Sequence, residues 1–278
     1  MNSICVNGKF LPADQMAVAA DNRSYRYGDG LFETMKVRDG KVLLAELHFE
    51  RLLRSLQLMK IPLPSHFSTP QLLNEITQLC AKNNCSQLAR VRLTISAGTG
   101  GLFDEGRKLN YTIEAWQLGL EMEHLNSNGL VIGIFREGRK ATDQYANLKS
   151  SNFLVYSMAA IHARENKWND ALVLNSKECI ADSTIANLFI IQDSTIYTPP
   201  LSEGCVDGVL RRLLISNLAG WGYTCKETVI SENDLSKADG IFLTNAIRGL
   251  RWVKQAGEKE YENKMTPAIY KQLQTIWK

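Results

Sequence analysis

The pattern of apolar and polar positions over residues 1–115 predicts hairpins first and helices afterwards. Asn7-Gly8 and Asp39-Gly40 each lie between short apolar runs, a strong signal for a type I′ turn between two strands. The period then becomes helical in ELHFERLLRSLQLMK and in TPQLLNEITQLCAK, where Thr69 is expected as the N-cap. Alternation typical of strands returns in ARVRLTISA and NYTIEAW. This part of the chain is therefore predicted to form an antiparallel sheet with helices on one side.

A polar stretch over residues 121–129 separates this part from a second one that also mixes strands and helices. We expect strands at LVIGIFR and GIFLTNA, and helices after Lys149, through GVLRRLLISNLAG and from Thr266 onward. The predicted organisation is an N-terminal α/β sandwich domain over 1–120, a linker over 121–129 and a C-terminal domain over 130–278. Because no regular β-α-β alternation and no G-x-G-x-x-G or Walker motif is present, the predicted fold class is α+β rather than Rossmann or TIM barrel.

Composition excludes several classes of function. Hydrophobic residues make up 45% and charged residues 22% of the 278 residues, and a net charge of +3 without charge blocks predicts no nucleic-acid partner. No run of about 20 apolar residues predicts a membrane span, and the first residues do not resemble a signal peptide. The six scattered cysteines are expected to be reduced thiols of a cytoplasmic protein. No metal site is predicted, because no cysteines or histidines stand at metal-ligand spacing.

One lysine stands in an unusual place. Lys149, in ANLKSSN, is followed by apolar residues at helical spacing, which puts it at a predicted helix N-terminus. The partial positive charge there disfavours an ammonium, which lowers the pKa of the lysine and makes its amine nucleophilic. The alternative is a solvent-facing lysine that tolerates a penalty of roughly 0.3–1 kcal/mol. On the heptapeptide alone, the alternative is favoured.

Further stretches, taken in order, resemble the motifs of the class IV or fold-type IV pyridoxal-phosphate enzymes. That family includes branched-chain and D-amino-acid aminotransferases and 4-amino-4-deoxychorismate lyase. The matching stretches are RYGDGLFET, HFERLLRS, ANLKSSNFL, ADSTIANLF, GCVDGVLRR and FLTNAIRGL. The resemblance covers most of the chain and implies a two-domain α+β fold like that of D-amino-acid aminotransferase, with mostly antiparallel sheets and flanking helices. It also implies that a C-terminal pseudo-barrel domain carries the cofactor lysine.

The resemblance implies roles for individual residues. Lys149 would bind the cofactor, pyridoxal 5′-phosphate, through its amine and would then move a proton at the substrate carbon. Arg51 would grip the phosphate with its planar fork of donors. Further phosphate donors would lie at a helix start and at a strand end: Gly208, Val209 and Leu210, and Thr244 and Asn245.

Two positions depart from the family pattern. The family places a glutamate five residues before the asparagine that matches Asn187, where it pairs with the pyridine nitrogen of the cofactor, and here that position is Asp182. An aspartate can supply the same charge but is one methylene shorter. In D-amino-acid aminotransferase the loop that resembles ISAGTGGLF carries an arginine for the substrate carboxylate, and here Leu102 stands at that position. This counts against D-amino-acid transamination.

Smaller features favour the lyase within the family. Leu154 stands where branched-chain aminotransferases usually have a tyrosine, Leu210 where aminotransferases commonly have a threonine, and FLTNAIRGL and FET resemble the lyase forms. The resemblance therefore favours 4-amino-4-deoxychorismate lyase, which converts a small-molecule amino substrate into 4-aminobenzoate and pyruvate for folate synthesis. The alternatives are amino-acid transamination, of branched-chain more than D-amino-acid type, and cofactor binding without turnover. A homodimer is expected, since such enzymes close their sites across a subunit boundary.

Overall fold

The computed structural model describes residues 3–15, 17–65, 67–104 and 106–277. The described residues form two compact units. The first contains the chain up to Glu121 together with Lys149–Asn152, and the second contains Met122–Leu148 and the chain from Phe153 onward. The grouping of Lys149–Asn152 with the first unit differs from the predicted C-terminal domain over 130–278. The reason is that Ser150 forms a β-bridge with Leu31, which belongs to the first sheet.

The first unit contains one sheet and three helices among its described residues. Its elements are β1 (Ser3–Val6), β2 (Lys9–Pro12), α1 (Arg23–Tyr27), β3 (Leu31–Arg38), β4 (Lys41–Val42), α2 (Ala45–Leu58), α3 (Thr69–Lys82), β5 (Leu88–Ser96) and β6 (Asn110–Gln117). The strand order is β2-β1-β6-β5-β3-β4, and every neighbouring pair is antiparallel. The predicted antiparallel sheet is confirmed.

Both predicted tight turns are present. Asn7 and Gly8 have φ of 48° and 81° between β1 and β2, and Asp39 and Gly40 have φ of 49° and 75° between β3 and β4. Two consecutive residues with positive φ define the type I′ turn that matches the twist of the strands. The helix prediction for TPQLLNEITQLCAK is also confirmed, except that the N-cap is Ser68, whose side chain accepts from Gln71 N.

Helices α2 and α3 pack on the same face of this sheet. Side chains of α2 bond to Glu33 of β3, and Glu75 of α3 accepts from the Tyr111 hydroxyl of β6. Glu33 is aligned with Leu93 and Ile113 across β3, β5 and β6, and Tyr111 lies two residues from Ile113 on the same strand. Since side chains two residues apart point to one face of a strand, the predicted one-sided arrangement is confirmed.

The second unit is a larger sheet with helices. Its elements are β7 (Leu130–Lys140), α4 (Leu154–Glu165), β8 (Asp170–Asn175), β9 (Ile180–Ser183), β10 (Asn187–Gln192), β11 (Thr195–Thr198), α5 (Val209–Leu218), β12 (Thr224–Glu227), α6 (Glu232–Lys237), β13 (Gly240–Asn245), β14 (Gly249–Ala256), β15 (Lys259–Glu260) and α7 (Thr266–Ile276). The strand order is β12-β11-β10-β13-β14-β7-β8-β9, with β15 paired to β14. Parallel pairs occur at β11–β12, β14–β7 and β7–β8.

The central strands of this sheet are buried on both faces, which explains their nearly continuous apolar sequences. All six residues of β8 are buried. Leu172 and Leu174 pack into a cluster with residues of β10 and β13, while Ala171 and Val173 pack against Ala159 of α4. The core therefore fixes both the strands and the helix that carry the polar residues described next.

Candidate functional site

Lys149 does not lie at a helix N-terminus. Helix α4 begins at Leu154, with Phe153 as its N-cap, so Lys149 is separated from the helix by four residues. The prediction that a helix dipole lowers the pKa of this lysine is therefore wrong, since that effect is confined to the first turn. Lys149 lies instead in a segment without helix or strand, and its carbonyl accepts from the Phe32 N–H of β3 at 2.9 Å.

The motif RYGDGLFET holds the Lys149 segment in place. The Ser151 N–H donates to the Gly30 carbonyl at 2.8 Å. A Cβ on Gly30 would lie 2.4 Å from Ser24 Oγ, 2.5 Å from the Ile95 carbonyl oxygen and 2.9 Å from Ser151 Oγ. Any side chain at Gly30 would thus displace the segment, so this glycine is needed for the close approach that positions Lys149.

The Lys149 side chain lies among cations and an aromatic ring. Its Nζ is 4.5 Å from the centre of the Phe32 ring, and the guanidinium carbon of Arg92 is 3.9 Å from the same ring. The pKa of His48 is lowered, mainly by burial and further by the positive charges of Arg51 and Lys149. The hydrogen bond and the charge of Glu33 raise this pKa but do not outweigh the burial. Two basic side chains, those of Lys149 and Arg92, are therefore close to one ring of the first unit, and basic side chains attract an anionic ligand.

Arg51 is held by a buried carboxylate. It lies on the sheet-facing side of α2, and its Nε donates to Glu33 Oε1 at 2.8 Å, while its Nη2 donates to Glu33 Oε2. His48 Nδ1 is 2.6 Å from Glu33 Oε2. Burial raises the pKa of Glu33, but the charge of Arg51 and the hydrogen bond from His48 outweigh it and lower that pKa to about 2. Glu33 therefore stays ionised and fixes the plane of the guanidinium.

Asp182 is a buried carboxylate in β9 of the second unit. The Val206 N–H donates to Oδ2 at 2.8 Å, and the Tyr156 hydroxyl lies 3.0 Å from both Oδ1 and Oδ2. Burial and then the charge of Asp182 raise the pKa of Tyr156 well above its usual value, so the phenol remains a donor. This carboxylate is thus held in place and can pair with a cationic ring nitrogen.

Gly208 is the N-cap of α5, and Val209 and Leu210 are its first two residues. The cap has no side-chain hydrogen bond to the helix. A Cβ on Gly208 would lie 1.9 Å from Asn187 Oδ1, and the Asn187 amide donates to the Val206 carbonyl at 2.8 Å. Asn187 thereby holds the turn that precedes the helix. The first N–H groups of an α-helix have no partner within the helix and form a favourable site for a phosphate.

Thr244 of β13 lies directly opposite Asn187 of β10. Asn187 is the residue that holds the turn before this helix, so Thr244 is also close to the helix start. Its hydroxyl is buried and has no hydrogen-bond partner within the described part of the chain. A buried polar group without a partner is unfavourable unless a ligand satisfies it. The uncapped helix start and the Thr244 hydroxyl together fit a bound phosphate group such as that of pyridoxal phosphate.

Asn245 is the last residue of β13 and follows Thr244 directly. Its Oδ1 accepts the N–H groups of Ile247 at 3.0 Å and Arg248 at 2.7 Å. The side-chain oxygen thus stabilises the turn between β13 and β14, and Asn245 supports the strand end on which Thr244 lies.

Some residues beside the predicted ones were not expected from the sequence. Glu33 bonds to Arg51, and His48 bonds to Glu33. Both residues lie inside the motifs FET and HFER, which could have pointed to them. Tyr156, the donor to Asp182, had no such signal because it lies on the buried face of an apolar helix.

Other expectations concern groups outside this set. Leu102 is exposed. Within the described residues, which exclude His66, no cluster of three histidine, cysteine or acidic side chains could bind a metal ion. No helix in the described ranges has the length and apolar character needed to cross a membrane.

Comparison with known proteins agrees with this fold and residue pattern. The family model described as amino-transferase class IV matches residues 30–256. A putative branched-chain-amino-acid aminotransferase of Methanocaldococcus jannaschii is 26% identical over 99% of this chain and 95% of its own. An aminodeoxychorismate lyase of Bacillus subtilis is 29% identical over 88% of this chain and 83% of its own. The crystal structure of 4-amino-4-deoxychorismate lyase from Pseudomonas aeruginosa superposes with a TM-score of 0.84 at 26% identity over 98% of both chains.

Proposed function

Because the chain belongs to the class IV aminotransferase family, whose enzymes use pyridoxal phosphate, we propose that it is a 4-amino-4-deoxychorismate lyase with Lys149 as its catalytic residue. The predicted fold, fold-type IV, is confirmed by the similarity to solved structures of the family. Family membership leaves a choice between lyase and aminotransferase activity, since relatives of both kinds match most of the chain.

Each unit, taken by itself, offers donors that suit a phosphate. In the first unit, Arg51 supplies charged donors, with Glu33 fixing the plane of its guanidinium. In the second unit, the N–H groups at the start of α5 and the Thr244 hydroxyl supply neutral donors, with Gly208 allowing the close approach. Asp182 would pair with the protonated ring nitrogen, since its buried carboxylate lies among hydrogen-bond donors.

When bound, the cofactor supplies an electron sink for the electron pair left on a substrate carbon after that carbon loses a proton. In the lyase reaction, the amine of Lys149 takes the proton from the ring carbon that carries the substrate amino group. The bond between the neighbouring ring carbon and the enolpyruvyl oxygen then breaks, and the six-membered ring becomes aromatic. A proton added to the methylene carbon of the released enolate gives pyruvate, and the other product is 4-aminobenzoate.

Leu154 is the main reason for proposing the lyase rather than an aminotransferase. It is the first residue of α4 and is largely exposed, and it has no hydroxyl group at the position where branched-chain aminotransferases usually have a tyrosine. The forms FLTNAIRGL and FET and the absence of a threonine at Leu210 support the same choice. Branched-chain transamination is the second candidate, supported by the relative from M. jannaschii that aligns over 99% of this chain.

The test assays both reactions on one purified sample loaded with pyridoxal phosphate. The proposal predicts 4-aminobenzoate from 4-amino-4-deoxychorismate and little transfer of the amino group from leucine, isoleucine, valine or D-alanine to 2-oxoglutarate. The Lys149→Ala variant serves as the control that must lack both activities. Transamination without formation of 4-aminobenzoate would refute the lyase proposal and support branched-chain transamination instead.

The proposal includes a homodimer located in the cytoplasm. Leu154, Met158 and Ile161 are exposed apolar residues spaced along one side of α4, which supports contact with a second copy of the chain. All six cysteines are free, which supports a reducing compartment. Small-molecule amino compounds are the proposed substrates.

A further inference from the structure

A second lysine, Lys140, ends β7 at a pronounced irregularity. Strands β7 and β8 pair in register from Ile132 to Phe135, and the pairing resumes only at Lys140, opposite Asn175. Four residues of β7 between Phe135 and Lys140 thus stand opposite Leu174 alone on β8. Such bulges redirect the side chains that follow them. This one brings Lys140 to the carboxylate of Asp182.

Lys140 makes two contacts there. Its Nζ lies 3.5 Å from Asp182 Oδ2, and it donates a hydrogen bond to the Tyr156 hydroxyl oxygen, whose own proton is donated to Asp182. The Lys140 side chain is 11% exposed and that of Asp182 is 3% exposed, so the ammonium and the carboxylate are both largely removed from water. Lys140, Tyr156 and Asp182 form a chain of charge-assisted hydrogen bonds.

The two carboxylate oxygens of Asp182 are not equivalent. Oδ2 accepts from the Val206 N–H, lies beside the Lys140 ammonium and shares the Tyr156 proton. Within the described part of the chain, Oδ1 has only its share of that same Tyr156 proton. A carboxylate oxygen has the capacity for two hydrogen bonds, so Oδ1 is the oxygen that can accept another.

We propose that Lys140 is a positioning residue that holds Oδ2 of Asp182 and thereby leaves Oδ1 to accept the proton of the cofactor ring nitrogen. This inference rests on the proposed role of Asp182 as the partner of that nitrogen. Lys140 also acts through its charge. The ammonium attracts the negative carboxylate across 3.5 Å, so that Oδ1 stays in place to accept the N–H of the ring.

The first measurement needs no cofactor. Thermal unfolding midpoints are compared for the cofactor-free wild type, Lys140→Met, Asp182→Asn and the double variant. If Lys140 acts through Asp182, Lys140→Met lowers the midpoint in the wild-type background and has a much smaller effect in the Asp182→Asn background. Equal effects in both backgrounds would show that Lys140 acts independently of Asp182, and would overturn the inference.

The second measurement has a readout that loss of packing alone does not change. Each variant is loaded with pyridoxal phosphate labelled with ¹⁵N in the ring, and the ¹⁵N chemical shift reports whether the ring nitrogen is protonated. Lys140→Met should move the shift towards the unprotonated value, and Lys140→Arg should restore it. An unchanged shift in Lys140→Met would overturn the inference. If Lys140→Met does not fold, Lys140→Gln is measured in its place with the same expectations.

Lys177→Met is the matched control, because Lys177 also pairs with a buried carboxylate of the second unit, that of Glu203 at 3.2 Å. It should leave the ¹⁵N shift unchanged. Failure of this inference can be distinguished from failure of the proposed function. A cofactor bound to a lysine other than Lys149 would refute the proposed function. The unfolding measurements on the cofactor-free variants would still test whether Lys140 acts through Asp182.

Discussion

Glu33 and Arg51 form a buried ion pair in which Arg51 Nε donates to Glu33 Oε1 at 2.8 Å. Neither residue has appreciable solvent exposure. The carboxylate fixes the plane and the direction of the guanidinium, and a fixed planar guanidinium suits recognition of a phosphate. The FET and HFER motifs therefore act as one structural element, although 17 residues separate Glu33 from Arg51 in the chain.

The first prediction concerns the pH dependence of stability caused by this pair. The pKa of Glu33 is lowered from 4.5 to about 2, which corresponds to on the order of 3 kcal/mol of folding free energy at neutral pH. Since the folded-state pKa is depressed, this contribution is complete above pH 4.5 and is lost as the pH falls towards 2. Glu33→Gln should therefore lower the free energy of unfolding most at neutral pH, and the difference from wild type should shrink in acid.

Urea unfolding of wild type and Glu33→Gln across this pH range checks the prediction. Glu46→Gln, an exposed glutamate in the first turn of the same helix, is the control and should show only a small, nearly constant difference. A Glu33→Gln difference that does not change with pH would contradict the assignment of the lowered pKa to Glu33.

The second prediction concerns the close approach of Gly208 to Asn187. In Gly208→Ala the new Cβ would lie 1.9 Å from Asn187 Oδ1, so Asn187 or the start of α5 must move. Such overpacking typically costs about 1–3 kcal/mol of stability. Because the moved groups belong to the proposed phosphate site, the Kd for pyridoxal phosphate should also rise by roughly tenfold or more.

Fluorescence titration with pyridoxal phosphate measures this change. Gly220→Ala is the matched control, since a Cβ there meets nothing within 4 Å. An unchanged Kd in Gly208→Ala would place the phosphate away from the start of α5.

The third prediction concerns Asp182. Asp182→Asn keeps the shape of the side chain and removes its charge, so it should leave cofactor binding largely intact and slow proton abstraction. Removal of one preorganised electrostatic group commonly costs on the order of 10²–10³ in rate. Single-turnover kinetics with substrate deuterated at the reacting carbon isolates this step. Turnover equal to wild type would mean that the carboxylate has no electronic role.

The fourth prediction is a homodimer at micromolar concentration, measured by sedimentation velocity. Replacing an exposed apolar residue of α4, as in Met158→Glu, should weaken association because a charge would be buried at the contact. Glu165→Gln, a polar change at the end of the same helix, should not. A fully active monomer at this concentration would refute the dimer.

The sequence predicted most of the fold, because its strongest signals are local. Asn-Gly and Asp-Gly turns require positive φ, and the apolar spacing of α2 and α3 follows from the faces that they bury. Lys149 shows where local signals fail. The apolar run after it does form a helix, but the helix begins at Leu154, since the Lys149 segment is held by its bonds to Gly30 and Phe32. Those partners lie more than a hundred residues earlier in the chain.

The environment of Asp182 could not be predicted from the sequence for a similar reason. Tyr156 and Val206 reach the carboxylate from a helix and a loop, and Lys140 reaches it through a bulge. None of these three contacts can be predicted from the spacing of residues along the chain. The substitution of aspartate for the family glutamate was visible in the sequence, but the donors around it become visible only once the strands are paired.

Lys149 is the residue that we propose to bind pyridoxal phosphate, and the roles of the other site residues depend on it. The enzyme loaded with the cofactor is reduced with borohydride, digested and analysed by mass spectrometry, with Lys149→Ala treated in parallel. We predict a single reduced adduct on Lys149 in the wild type and no adduct in Lys149→Ala. An adduct on another lysine of the wild type, such as Lys140, or an adduct that persists in Lys149→Ala, would contradict this assignment.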